Sequence, residues 1–390
     1  MNKKLTSKST AAGSKKSRPI SRRKFLAATA ASVGGAATLG FPMISRAETI
    51  TVKMQGAWSS TDIFNEFAME FVNRVNAMAG GRLRIDYLIA GAVEKPFEVT
   101  DAVSKGVLDA GHTVPVYWYG KSKVASLFGS GPINGCDAHQ TLAWIYRGGG
   151  LDLYKELLRK LGLNYVGFFA MPMPTQPLGW FKKPITDAKQ LKGLKYRTVG
   201  LAADLFQEMG AKVTQLPGGE IVPAMDRGLL DAAEFNNASS DRLLGFADVS
   251  KVFMLQSYHQ SGEQFEITFN KTKFDALPVK MKAIIENAVE AASQDLQWKS
   301  IDRYSQDYIE LQTKDKVRVY ITPAAILQKQ LDIFDGVMEK YSATNPLFKE
   351  VLESQRKFAA RSVKWGLDTI VNPRMAYNYY FGKRKAAKKA

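Results

Sequence analysis

The stretch "AVSKGVLDAGHTVPVYW", which begins at Ala102, is echoed by "AMDRGLLDAAEFNN", which begins at Ala224. In register, Ala102 matches Ala224, Lys105 matches Arg227, Gly106 matches Gly228, Leu108 matches Leu230, Asp109 matches Asp231 and Ala110 matches Ala232. Each copy reads as a helix stopped by a glycine C-cap, then a tight turn and a short buried strand. A chain that uses this junction twice is constrained to two α/β units whose strands deliver the following residues to a common cleft. Those residues are Tyr117, Trp118 and Tyr119 in the first unit, and Glu234, Phe235, Asn236 and Asn237 in the second. Asp109 and Asp231 are then turn residues.

The surrounding pattern agrees with two units. "TITVKM" is strand-like, a helix pattern runs through Phe64, Phe67, Phe71 and Val75, and "RLRIDYLIAG" alternates. Strands alternating with helices argue for mostly parallel sheets, and ligands bind at the carboxyl ends of such strands. "YVGFFA" runs out at "MPMPTQP", whose three prolines exclude a helix and a central strand, so this stretch suits a crossing between units. "HQSGEQFEITFNKTKFDALP" suits a second crossing, back to the first unit. From Pro278 an amphipathic pattern runs through Met281, Ile284, Ile285, Ala288, Val289, Leu296 and Trp298 to about Leu311. A helix of that length spans ~50 Å, longer than one lobe is wide, and can serve as a shared backbone. After Pro346, Phe348, Val351, Leu352, Gln355, Phe358, Ala359 and Val363 fall near one helix face. That face either packs on its own lobe or makes a homodimer contact. The last residues, "KRKAAKKA", read as a solvated basic tail.

The formal charge of +17 belongs largely to the first 46 residues, which carry ten Lys or Arg and no Asp or Glu; without them the balance is about +7. The charge therefore argues little for nucleic-acid binding. Those residues have the order of an export signal: a basic region, "SRRKFL" with Arg22 and Arg23 before an apolar run, and Ser45 and Ala47 as small residues before a cleavage point. An N-terminal membrane anchor is the alternative, but a run rich in Gly, Ala and Thr and poor in Leu and Ile favours export and cleavage. The sequence reading is thus a twin-arginine signal peptide over residues 1–47 and a mature protein in the periplasm.

Several chemistries are excluded or left without support. The one cysteine, Cys136, cannot form an internal disulfide and reads as a buried structural thiol. No two of His112, His139 and His259 have zinc-site spacing, and no nucleophile elbow, P-loop or dinucleotide fingerprint is present. Arg197 ends a short strand, and its planar fork suits a carboxylate. Gln176, Glu234 and the backbone at Phe235 are hard oxygen donors, suited to Na⁺ or Ca²⁺ and unsuited to zinc. Together they suggest a cleft that binds an organic acid between a cation and Arg197, with Trp58 and Tyr117 as walls. The simpler alternative is a salt bridge between Glu234 and Arg197.

The segment "GLKYRTVGLAADLFQEMGAKVTQLPGGEIVPAMDRGLLDAAEFNN", the upstream "TQPLGWF" and the leader resemble the solute-binding subunits of tripartite ATP-independent periplasmic (TRAP) transporters. Within them the chain is similar to the branch that binds 2-oxo acids and related monocarboxylates with a metal ion. The resemblance implies a two-lobed α/β periplasmic binding protein with a ligand cleft between lobes, a long helix spanning both and extra C-terminal helices. Lobe 1 would comprise residues 48–174 with 263–302, lobe 2 residues 175–262 with 303–345, and residues 346–390 a helical extension with the basic tail. It implies that Arg197 pairs with the ligand carboxylate, and that Gln176, Glu234 and the main chain of Phe235 hold Na⁺ or Ca²⁺, with Gln260 a further candidate. Asn236, Tyr117 and Trp58 would complete the substrate pocket. Phe235 stands where the family often has Trp. The implied role is non-enzymatic: capture of a small organic acid for the permease subunits. The rival roles are an exported metal-assisted enzyme acting on a keto acid, and a sensory binding protein.

Overall fold

The computed structural model describes residues 48–131 and 134–382. The leader and the basic tail lie outside the described residues. The chain first lays down β1 (Ile50–Gly56), α1 (Phe64–Ala79), β2 (Leu83–Leu88), α2 (Val99–Lys105), β3 (Ala110–Thr113), α3 (Lys123–Gly129), α4 (Ala138–Arg147), α5 (Gly150–Lys160) and β4 (Tyr165–Met173). It then crosses to a second set: β5 (Gly179–Phe181), β6 (Lys195–Arg197), α6 (Leu201–Glu208), β7 (Lys212–Thr214), α7 (Gly218–Asp226), β8 (Ala232–Ala233), α8 (Ala238–Leu243), α9 (Phe246–Val249) and β9 (Val252–Leu255). It returns through β10 (Glu263–Asn270) and α10 (Lys271–Ala276), and ends with α11 (Val279–Thr313), β11 (Arg318–Ile321), α12 (Ala324–Thr344), α13 (Pro346–Thr369) and α14 (Pro373–Phe381).

Two sheets result, one ordered β2-β1-β3-β10-β4 and the other β11-β9-β5-β8-β6-β7. The expectation of mostly parallel sheets is met, with one reversed strand in each sheet. β10 runs antiparallel to both β3 and β4, and β5 runs antiparallel to both β8 and β9. Both are the strands that follow a crossing. A strand arriving from the other lobe enters at the cleft end, so it must run away from the cleft while β1, β3, β6 and β8 run toward it. Pro172 lies inside β4, two residues beyond the sequence reading, and is tolerated because β4 is an edge strand.

The repeated junction is built identically in both lobes. The amides of Val107 and Leu108 donate to the Ala102 carbonyl, and those of Leu229 and Leu230 to the Ala224 carbonyl. Gly106 and Gly228 take the left-handed conformation, with φ of 76° and 70°, which costs a glycine little. The Asp109 amide bonds to Lys53 O and the Asp231 amide to Lys195 O. Their carboxylates accept the Lys53 and Lys195 amides in turn, so both aspartates are turn residues that lock β3 to β1 and β8 to β6.

In α1, Phe64, Phe67, Phe71 and Val75 are buried at helical spacing. α11, at 35 residues, is about 52 Å long. It packs on α1 and β4 of the first lobe and on α8 of the second. Its buried stripe runs through Met281, Ile285, Ala288, Ala292, Leu296, Ser300, Asp307 and Leu311. Trp298 leaves that stripe, being two positions from Leu296 and therefore on the opposite side, and is 62% exposed. The predicted face of α13 packs on its own chain, against α3, α4, α5 and α12. Gln355 donates to Leu127 O at 2.5 Å and Trp144 to Ser354 at 3.1 Å. Cys136 is buried there against Ala359 and Val363.

β10 is buried along its whole length, which encloses Glu266. Tyr154 donates its hydroxyl to this carboxyl, and Gly167 leaves the room that a Cβ would fill. Burial pushes Glu266 up to about 8. The folded state therefore holds a proton that the unfolded chain has released above about pH 4.5, and stability falls as pH rises toward 8. Glu266→Gln is expected to flatten this decline, by up to a few kcal/mol at pH 8.5, in urea unfolding measured from pH 5 to 8.5. Equal slopes for wild type and variant would disprove a protonated Glu266.

Candidate functional site

The two crossings are bonded to each other: the Gln176 amide donates to Gln260 O at 3.0 Å and Thr175 to Ser261 O at 2.9 Å. Around them the carboxyl ends of β1, β3, β6 and β8 meet in one small cavity, whose free space is about 10 Å³. It is lined by Trp58, Phe64, Val114, Tyr117, Gln176, Arg197, Val199, Phe235, Asn236, Gln260 and Glu263. Of the residues singled out in the sequence, the fold thus brings Trp58, Tyr117, Gln176, Arg197, Phe235, Asn236 and Gln260 to one place. Trp118 turns away toward Tyr154. Tyr119 reaches Asp204 of the second lobe, and Asn237 caps α8 through the Ser239 and Ser240 amides. The shared-cleft expectation therefore fails for these three, because each is drawn to a partner outside the cavity.

Arg197 is 1% exposed. The parallel pairing of β6 with β8 sets it beside Ala233, and Glu234 follows at once. Arg197 Nη1 donates to Glu234 Oε1 at 2.9 Å and to Glu234 O at 3.1 Å, while Nε donates to Leu216 O at 2.8 Å. The guanidinium also lies 5.5 Å from the Phe235 ring centroid, a cation–π distance. The sequence reading gave the whole fork to a ligand. In the fold only Nη2 is left without a partner among the described residues. Glu234 does not line the cavity; it sits behind Arg197, with Oε2 unpartnered and 3.9 Å from His259 Nε2.

The cavity divides by polarity. One side is apolar, from Trp58, Phe64, Val114 and Val199. Trp58 is held there by its Nε1–H bond to His112 Nδ1 at 2.6 Å, and burial holds His112 down at about 3, neutral. The other side carries Gln176, Gln260, Asn236 and Glu263. Gln176 Oε1 and Gln260 Oε1 are buried without hydrogen-bond partners. Glu263 accepts at Oε2 from Gln176 Nε2 and Asn236 Nδ2, both at 2.8 Å. Burial, reinforced by the Glu234 charge, pushes its carboxyl up to about 8. Asp241 fixes the loop behind them by accepting from Trp180 at 2.8 Å and from the Asn236 amide at 3.1 Å.

Unpartnered buried polar atoms are rare in folded proteins, and three of the residues that carry them, Gln176, Arg197 and Gln260, line this cavity. Gln176 Oε1, Gln260 Oε1 and Glu234 Oε2 are oxygens of the kind that Na⁺ and Ca²⁺ prefer. Among the described residues no group of three or more His, Cys, Asp or Glu is placed to hold a metal. Sequence reasoning missed Phe64, Val114, Val199, Glu263 and the anchoring role of His112. Neither His112 nor His259 lines the cavity.

Residues 54–344 match the family described as bacterial extracellular solute-binding protein, family 7 (DctP). The chain is 30% identical over 292 residues, 75% of its length and 79% of the relative's, to a monocarboxylate 2-oxoacid-binding periplasmic protein of Nostoc sp.. A TRAP transporter solute-binding protein of Bordetella bronchiseptica, a mixed-occupancy dimer with copurified calcium and picolinate, superposes with a TM-score of 0.81 at 25% identity, covering 87% of this chain and 99% of that one. A TRAP periplasmic solute-binding protein of Pseudoalteromonas atlantica, with bound sodium and pyruvate, gives 0.79 at 25% identity, covering 86% and 100%. With its two mixed sheets, its long shared helix and a closed cavity between the lobes, the chain belongs to bacterial extracellular solute-binding protein family 7, as a solute-binding protein of the TRAP type.

Proposed function

We propose that this protein captures a short 2-oxo monocarboxylate together with Na⁺ or Ca²⁺ and presents it, in the closed two-lobed form, to the membrane subunits of a TRAP permease. The observation that carries this is the set of buried unpartnered atoms on the lining residues, namely Gln176 Oε1, both ends of the Gln260 amide and Arg197 Nη2, with Glu234 Oε2 behind Arg197. Gln176, Glu234 and Gln260, with the main-chain oxygen of Phe235, would hold the cation. A bound cation supplies positive charge to a carboxylate and its neighbouring oxygen. Pyruvate and picolinate, named with two similar structures, each carry a carboxylate beside a second donor atom, the arrangement a cation chelates. Arg197 Nη2 donates to the same acid, and the Trp58, Phe64, Val114 and Val199 wall takes its apolar end.

The cavity's free space of about 10 Å³ is room for roughly one water, so the acid it takes is small and its entry requires the walls to part. The lobes are latched across the cleft: Ser240 donates to Asp62 at 2.9 Å, and Tyr119 donates to Asp204, which Tyr341 of the same lobe also holds. A ligand touching both lobes stabilises this closed form. No bond is made or broken. The twin-arginine leader read in residues 1–47 fits delivery to the periplasm with cleavage after Ala47, and no described helix is long and apolar enough to cross a membrane.

A second copy of the chain is the proposed partner of the C-terminal helices. Beyond Ala359 the apolar residues turn outward: Trp365, Leu367, Ile370, Val371, Met375 and Phe381 are each at least 65% exposed. A patch of that kind marks an association surface.

Two measurements check these readings. In thermal unfolding, pyruvate at ~100 times its dissociation constant, with Na⁺ or Ca²⁺, is expected to add roughly 2.7 kcal/mol of stability. Arg197→Lys, which keeps the charge and loses the fork, is expected to lose most of that gain. Absence of any shift across 2-oxo and 2-hydroxy acids, with either ion, would end the acid-binding reading. In light scattering, the wild type is expected at twice the chain mass, and a protein ending at residue 363 at the chain mass. A monomeric wild type at all concentrations rejects the dimer.

A further inference from the structure

The structure assigns Glu263 as the positioning residue of the cavity's oxygen donors: it takes up the amide N–H groups of Gln176 and Asn236, and so turns the Gln176 carbonyl oxygen into the cavity. This inference rests on the reading of the cavity as a cation and acid site. Gln176 carries one donor end and one acceptor end, nearly equal in shape, and nothing in its own crossing segment decides which end faces inward. Glu263 decides it. The carboxylate oxygen Oε2 accepts from Gln176 Nε2 at 2.8 Å, and an oxygen facing an oxygen there would be repelled. The other end of the amide, Oε1, is the buried atom left without a partner.

Asn236 completes the clamp. Its Nδ2 donates to the same Glu263 oxygen at 2.8 Å and its Oδ1 accepts from Asn237 Nδ2 at 2.8 Å. Asn236 is therefore bonded at both ends of its amide and acts as a brace. Glu263 itself is 4% exposed and opens β10, opposite Met173, where the register shifts between Glu263 and Phe265. That irregularity points its side chain at the cavity. Among the described residues no Lys or Arg forms an ion pair with it, and Arg197 is bonded instead to Glu234 and Leu216. A carboxyl kept buried without a cationic partner, with two amide donors on one oxygen, is explained by the orientation it imposes. Groups that orient a ligand in this way commonly change metal affinity 10–100-fold when replaced.

The experiment measures Ca²⁺ affinity of the purified protein by calorimetry, and the luminescence of Tb³⁺ as a calcium surrogate, with and without pyruvate. Glu263→Met, which removes the acceptor, is expected to weaken cation binding 10–100-fold. Glu263→Gln, which can offer its amide oxygen to both N–H groups, is expected to recover most of it. In a Gln176→Leu background Glu263→Met is expected to cost little more, because the two residues act as one unit. Should Glu263→Met not fold, Glu263→Asp serves in its place, since it keeps the carboxyl group but draws the oxygen back from both amides. Equal losses for the Gln and Met variants would make Glu263 a charged ligand and overturn the proposal; so would full additivity with Gln176→Leu or unchanged cation binding. A wild type that binds Tb³⁺ but no acid refutes the acid-binding reading and leaves the role of Glu263 standing. A wild type that binds no cation refutes both.

Discussion

The ion pair between Arg197 and Glu234, at 1% and 0% exposure, is the interaction on which the rest of the site depends. Removing two charges from water costs several kcal/mol per ion, and only good geometry and further hydrogen bonds repay it. Here the repayment is deliberately incomplete. The Leu216 and Glu234 carbonyls and one carboxylate oxygen satisfy part of the guanidinium, while one nitrogen and one carboxylate oxygen stay unbonded. The lobe-two sheet exists in a form that makes this possible: β6 and β8 run parallel and adjacent, so the residues ending them leave the sheet side by side. Phe235 then lies against the guanidinium, and Gly218 gives its ring the space.

Site and hinge are the same pieces of chain. Gln176 and Gln260 sit on the two crossings, which bond to each other. Each crossing contains a non-glycine residue in left-handed backbone, Met171 with φ 57° and Gln256 with φ 70°, a conformation that surrounding structure must hold in place. A ligand that engages Gln176 and Gln260 therefore acts directly on the segments through which one lobe must move relative to the other. No relay through the core is needed to couple occupancy to shape.

Much of this was legible in the sequence, and the misses have physical reasons. The place of Arg197, Phe235 and Asn236 at the cavity was legible because the repeated helix–glycine–strand junction tells where a strand must end, while Glu234 lies behind Arg197 in the ion pair that was the simpler alternative. Gln176 was legible from its position between prolines in a segment that could be neither helix nor central strand. Glu263 was not, because "EQFEITF" reads as a strand with Gln264, Glu266 and Thr268 on a solvent face and gives no signal for the residue that opens it. Only tertiary placement between β3 and β4 buries both faces. The free share of the Arg197 fork was also out of reach, since side-chain partners such as the Leu216 carbonyl come from loops whose path no periodicity fixes. The outward turn of Trp298 follows from helical phase alone and was available from counting.

The position of β10 has a consequence for how the molecule is made. It is the fourth strand of a five-stranded sheet, wedged between β3 and β4, yet its residues are synthesised some ninety positions after β4 ends. Until then the earlier strands β3 and β4 lack the partner that joins them, and their open edges can pair with other chains. Non-local pairing of this kind also slows folding. The second lobe, complete except for β11, is made in the interval. Acquisition of structure is thus expected to run inward from the inserted lobe, with the first lobe closing last around a strand it has waited for, and a nascent chain stalled before residue 263 presents an unfinished sheet to its surroundings.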